Sequence, residues 1–139
     1  MLFDTHAHYD DERFDEDREA LLNAMPEKGV GLIVNPGCDL ASSRTAVDMA
    51  QKYDFLYAAV GIHPENCGDF APAMMDGLRA LAKAPKVVAI GEIGLDYYWA
   101  ENPPRDFQQQ VFHAQMELAE ELSLPVIIHD REAHQDCLE

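Results

Sequence analysis

A parallel α/β fold is predicted from three features of the sequence. Short apolar runs rich in β-branched residues alternate with helix-patterned stretches, one of each about every 30 residues, the size of a βαβ unit. The runs are apolar throughout rather than alternating in and out, as strands covered on both faces are. Residue types that bind metals follow four of the five runs.

In chain order, the first strand is Leu2-Phe3. Phe14, Leu21, Leu22 and Met25 then share one helical face, and the acidic run Asp10 to Glu19 reads as a solvated helix face. That run lacks the glycine turn and terminal glutamate of a calcium loop. Val30 to Val34 is the second strand, and Asp39 suits the N-cap of a helix carrying Leu40, Val47 and Ala50. Leu56 to Ile62 is the third, followed by Met74, Leu78 and Leu81 at helical spacing. After the fourth, Val87 to Ile93, Pro103-Pro104 opens a helix whose stripe is Phe107, Val111, Ala114, Leu118 and Leu122. Pro125 to Ile128 is the fifth strand. Asp130 to Glu139 then falls short of the roughly 12 residues a covering helix normally needs.

Two architectures accommodate this order. A doubly wound sheet gathers its ligands at one switch point, whereas a (β/α)₈ TIM barrel brings every strand's carboxyl end to one rim. His6 and His8, His63, Glu92 and His129 follow four different strands, so the barrel explains them better. Whole barrels take about 200 residues or more. Residues 1–139 are therefore expected to be the N-terminal portion of a single barrel domain, holding about its first five strands. A chain that truly stopped at Glu139 is expected to leave an open, poorly covered sheet with little or no activity.

Composition narrows the function. With 47% hydrophobic and 26% charged residues, the chain can bury a core and is not a disordered acidic tail. No apolar run approaches the roughly 20 residues of a bilayer span, and no export signal opens the chain, so no membrane association and a cytoplasmic location are expected. Three cysteines without ligand spacing argue for structural thiols. The net charge is −16, and no basic stripe is available to hold a phosphate backbone. If this protein acts on nucleic acid, bound divalent cations must supply much of the positive charge.

The candidate ligands fit that requirement. On a strand, residues two apart project to one side, so His6 and His8 can aim at one ion. Glu92 at the end of an apolar strand needs partners if buried, and its two oxygens can bridge two cations. Standing alone, His129 would read as a core histidine; among the other strand ends it reads as a ligand. Imidazole and carboxylate together suit Zn, Mn, Fe or Co more than Ca.

The segments Phe3-Asp4-Thr5-His6-Ala7-His8, Gly61-Ile62-His63-Pro64, Gly91-Glu92-Ile93-Gly94-Leu95-Asp96-Tyr97 and Pro125-Val126-Ile127-Ile128-His129-x-Arg131-x-Ala133 resemble, in order, the signatures of the TatD-type metal-dependent deoxyribonucleases. The resemblance covers the whole chain. It implies a TIM barrel of the amidohydrolase superfamily, two divalent metal ions (Zn, Mn, Mg, Fe or Co) and hydrolysis of DNA phosphodiesters, commonly from a 3′ end. It also implies that His6 and His8 bind the first metal, Glu92 bridges both and His129 binds the second. The family pattern adds a histidine after the sixth strand and a later aspartate that contacts the attacking water. Neither lies within these residues, so the general base is expected beyond residue 139.

His63 and Arg131 are the candidate substrate contacts, through a phosphate. His63 is as readily a residue that fixes the loop before Pro64, and Arg131 as readily an ion-pair partner of Asp130 or Glu132. Asp96 either orients a ligand histidine or caps the following loop. Tyr97, Tyr98 and Trp99 either stack on bases or pack over the barrel mouth. His113 reads as a surface residue, and His134 is too near the end to place. Two other functions stay open: an amidohydrolase acting on a cyclic amide or ester, and a noncatalytic module that binds metal or a partner.

Overall fold

A computed structural model describes all residues, Met1–Glu139. Five strands, β1 (Leu2–Asp4), β2 (Val30–Pro36), β3 (Leu56–Val60), β4 (Val87–Asp96) and β5 (Val126–Arg131), alternate with α1 (Arg18–Ala24), α2 (Leu40–Lys52), α3 (Pro72–Ala82), α4 (Arg105–Leu122) and α5 (His134–Leu138). All four pairings are parallel, and the sheet order is β1-β2-β3-β4-β5. That order separates the two architectures. A doubly wound sheet reverses direction to place helices on both faces, whereas an unreversed run of right-handed crossovers keeps all helices on one side and curls the sheet. The fold is a curled half-barrel.

The main core lies between the sheet and its helices, where Ala58, Val60, Ile90, Ile93 and Leu95 meet Ala46, Val47, Leu78, Val111, Phe112 and Leu118. On the opposite, concave face, Val34, Ala59 and Ala89 form a smaller cluster with Tyr57, Val88 and Ile127. The two edge strands are thinly covered, with Leu2, Phe3 and Ile128 exposed. No helix is long and apolar enough to cross a membrane, and all three cysteines are free thiols.

Local chemistry explains the element limits. The Asp39 carboxylate accepts the Ser42 N–H (2.7 Å) while Ser42 Oγ accepts the Asp39 N–H (3.0 Å), closing a capping box on α2 as its N-cap reading anticipates. The first helix departs from expectation. It begins at Arg18 rather than near Phe14, and the acidic run is loop and a 3₁₀ turn (Glu12–Phe14) rather than a helix face. The cause is Arg18, whose guanidinium donates to the carbonyls of Tyr9 (2.6 Å), Asp10 (3.2 Å) and Asp11 (2.9 Å), holding them in the loop, where only the Asp11 carbonyl also accepts a 3₁₀ bond, from the Phe14 N–H at 3.0 Å. β1 also stops at Asp4, so His6 and His8 lie on the following loop and not on a strand.

β4 contains an irregularity that aims a side chain. Its pairing with β5 shifts between Ile90 and Ile93. Ile90, Ile93 and Leu95 all enter the helix-side core, so three positions separate the first two where strict alternation allows two. The extra residue is a bulge, and Glu92 sits in it.

Candidate metal centre

Glu92 is buried at the carboxyl end of the sheet, and four imidazoles surround it. Its Oε2 lies 3.1 Å from His6 Nε2 and 3.3 Å from His8 Nε2. Its Oε1 lies 2.9 Å from His129 Nδ1 and 3.8 Å from His63 Nε2. Each carboxylate oxygen thus faces a different pair of histidines. His6, His8 and Glu92 form one group with metal-binding spacing; His63, Glu92 and His129 form a second. The shared member is Glu92. All the residues expected to bind metal therefore converge, drawn from three separate segments of the chain.

The loop carrying His6 and His8 is fixed by Asn35 of β2, a fully buried amide. Its Oδ1 accepts the Tyr9 N–H (2.7 Å), and its Nδ2 donates to Asp10 Oδ1 (2.9 Å). The Ala7 N–H adds a bond to the Val34 carbonyl at 3.1 Å. At β5, Gly94 permits the close approach of His129. A Cβ on Gly94 would lie 2.0 Å from the His129 carbonyl oxygen, and its φ of +143° disfavours any side chain.

Hydrogen bonding sets the tautomers. His129 places Nε2 2.8 Å from Asp96 Oδ2, an acceptor that is fully buried, and Nδ1 2.9 Å from Glu92 Oε1, so the protonated ring donates to both carboxylates, and a bound metal would take the place of the Nδ1 proton while Asp96 keeps the one on Nε2. Asp96 makes both of the contacts anticipated for it, because its Oδ1 also accepts the Tyr98 N–H at 3.0 Å. His63 is the reverse case. Its Nδ1 accepts the Glu65 N–H at 3.2 Å, capping the 3₁₀ segment Pro64–Asp69, which commits its lone pair and leaves Nε2–H as a donor. Its spacing alone suits a ligand, but its chemistry suits donation to an oxygen. The loop-fixing and phosphate readings of His63 are thus compatible.

The titration behaviour agrees. Burial opposes ionisation of Glu92, but hydrogen bonds from His129 and His8 and the nearby His63 and His6 charges outweigh it and hold the carboxyl well below the usual range. His8 is raised by its hydrogen bond to Glu92 against the effect of burial, and His129 likewise by Glu92 and then Asp96. His63 is pushed down to about 4, first by burial and then by the His129 charge, which leaves it a neutral donor.

Arg131 makes no ion pair with Asp130 or Glu132; its guanidinium lies over the Tyr98 and Trp99 rings at 5.2 and 5.8 Å. Asp130 instead pairs with His134 at 2.6 Å, and His113 is exposed beside Glu117 on α4. Tyr97 separates from its aromatic neighbours: its hydroxyl donates to Asp136 Oδ2 (2.7 Å) and Arg105 stacks on its ring.

Sequence reasoning misses Asn35, Gln108 and Gln115, which position the site from beneath. Gln115 exchanges hydrogen bonds with the Ile62 backbone just before His63, and Gln108 with the Asp96 backbone. The available signal is polarity in an apolar setting: Asn35 closes a buried strand, and both glutamines fall on the apolar stripe of α4.

The chain and its fold are similar to known proteins. The model of the family described as TatD related DNase matches residues 3–139. The chain is 43% identical over 138 residues to the uncharacterized metal-dependent hydrolase YabD of Bacillus subtilis, covering 99% of this chain and 54% of the relative. It is 33% identical to the 3′-5′ ssDNA/RNA exonuclease TatD of Salmonella typhimurium, covering 99% and 52%. Among solved structures, the TatD homologue YjjV of Escherichia coli superposes with a TM-score of 0.90 at 35% identity, over 98% of this chain and 53% of that one. A TatD family hydrolase of Entamoeba histolytica shares the fold, with a TM-score of 0.89 at 24% identity over 99% and 52%. The chain spans about half the length of the curated relatives it matches. With the motifs, the half-barrel and the family match in agreement, the chain belongs to the TatD related DNase family of metal-dependent hydrolases.

Proposed function

We propose that these residues bind two divalent metal ions and the scissile phosphate of a nucleic acid, DNA foremost, for hydrolysis from a 3′ end. The observation that carries this reading is Glu92, whose two oxygens face two separate sets of histidines. The relative from Salmonella typhimurium, named as a 3′-5′ exonuclease of ssDNA and RNA, supports the choice of substrate.

The donor set fits borderline divalent ions such as Zn, Mn, Fe or Co, and Mg where carboxylate dominates. His6 Nε2, His8 Nε2 and Glu92 Oε2 would hold one ion; Glu92 Oε1 and His129 Nδ1 are this chain's donors to the second. Bound ions supply electrophilic charge that acidifies water at neutral pH and polarises a phosphoryl oxygen. Glu92, ionised throughout the neutral range, holds the two sets in register. Asp96 keeps the His129 lone pair directed inward. Neutral His63 donates Nε2–H toward a non-bridging phosphate oxygen, and Arg131 offers its planar fork to a phosphate farther along. The general base belongs to none of the residues 1–139 in this reading.

The test is 5′-labelled single-stranded DNA incubated with the chain, with and without chelator. Binding is expected only with divalent metal, to return when metal is restored and to fall at least about tenfold in Glu92→Gln, and shortening is expected only where the rest of the barrel supplies the general base. Either process persisting in excess chelator would contradict the proposal.

A further inference from the structure

We infer that Tyr98, Trp99 and Arg131 form a nucleotide subsite beside the candidate metal centre, where one unpaired base stacks on the rings and Arg131 takes a backbone phosphate. This inference rests on the phosphodiester reading above and adds where the nucleotide lies and what recognises it.

Tyr98 and Trp99 are 57% and 44% exposed, with their rings edge to face at 4.6 Å. A single exposed ring needs no explanation, but here two adjoin and a guanidinium covers both. Arg131 is free for such a role. In a chain of net charge −16, Arg13, Arg18 and Arg79 each pair with a carboxylate, whereas Arg131 sits between Asp130 and Glu132 and pairs with neither. Its planar donors remain available for a phosphate.

The rings are also held in place. The Tyr98 N–H donates to Asp96 Oδ1, on the carboxylate whose other oxygen faces His129. The side-chain amides of Asn102 and Gln108 both donate to the Asp96 carbonyl, at 3.1 and 3.0 Å, and the Asn102 N–H reaches the Trp99 carbonyl at 3.3 Å. Arg131 pairs in register with Asp96, two residues beyond His129. One buried carboxylate therefore anchors both the stacking platform and a candidate ligand. Every base has a π-face, so such a platform tolerates sequence, but it needs bases released from a duplex. The occupant that fits is a single strand.

Trp99 is the only tryptophan, which makes it a reporter of its own contact. With Mg²⁺ present and signals read in stopped flow before turnover, pentathymidylate is expected to quench Trp99 fluorescence. An abasic oligomer of the same length, with tetrahydrofuran in place of each nucleoside, is expected to leave it unchanged. By anisotropy of the fluorescein-labelled oligomers, Trp99→Ala and Tyr98→Ala each weaken pentathymidylate binding about tenfold, and Trp99→Phe restores most of it. Arg131→Ala weakens the base-bearing and abasic oligomers alike. Metal content and far-UV circular dichroism of each variant show that fold and metal uptake persist. If Trp99→Ala and Tyr98→Ala bind pentathymidylate like the parent, or if the abasic oligomer quenches equally, the platform is overturned while the phosphodiester reading stands. If metal is taken up but neither oligomer binds, both are overturned.

Discussion

At the scale of single residues, Asp96 carries more of the site than its position at the end of a strand suggests. One carboxylate serves two donors, His129 Nε2–H and the Tyr98 N–H, from complete burial. Its pKa is lowered because the His129 and Tyr98 hydrogen bonds outweigh the opposing effect of burial. Asp96→Asn keeps one acceptor oxygen for those two donors, so one of them loses its partner. Metal affinity at the Glu92–His129 pair should fall about 10- to 100-fold, with the His6–His8–Glu92 group retained. Isothermal titration should show the weaker binding step disappear while the tighter one persists, and two unchanged steps would refute the role given to Asp96. The residue types at this site were legible because metal ligands follow apolar strands in the sequence. The tautomers were not, since the Glu65 N–H that commits His63 and the Asp96 carboxylate that orients His129 emerge only from the folded geometry.

Among the elements, α4 does two jobs. Its apolar stripe packs on the sheet, and within that stripe Gln108 and Gln115 clip the ends of β4 and the β3 segment to their loops. Gln115 supplies both an acceptor at 2.7 Å and a donor at 3.0 Å to Ile62, all buried. Gln115→Leu keeps the packing but strands that N–H and carbonyl, and should destabilise by about 2–4 kcal/mol in urea unfolding. A change below about 0.5 kcal/mol would show that the clip contributes nothing. Gly94→Ala brings a Cβ against the His129 carbonyl at an unfavourable φ. It should lose about 2–4 kcal/mol in the same assay and loosen metal binding by displacing His129. Parental stability in this variant would mean that β5 does not approach as closely as described. Strand and helix identity could be read from apolar periodicity, and the α2 cap from Asp39. The start of α1 could not be read, because it depends on the Arg18 guanidinium binding carbonyls seven to nine residues earlier. Nor could the β4 bulge, since it shows only in the pairing register with β5, where three steps from Ile90 to Ile93 face two from Val126 to Ile128.

At the scale of the whole molecule, sheet order turns scattered residues into a site. Because each strand lies beside its predecessor, the segments following β1 and β3 and the carboxyl-terminal halves of β4 and β5 reach one rim, and Glu92 becomes the shared partner of histidines far apart in sequence. The same curvature places an acidic chain's one cluster of imidazoles where a phosphate would approach, so bound cations would offset the repulsion expected of a charge of −16. The barrel was readable from strand-end chemistry, while the doubly wound alternative fell only to the observed strand order. The most direct measurement is the zinc content of the chain after reconstitution and exhaustive dialysis, compared with Glu92→Gln. Retention of at least one ion per chain, lost in the variant because both histidine groups depend on Glu92, is the predicted result. No retained zinc, or equal retention by the variant, would contradict the convergence of these residues on metal.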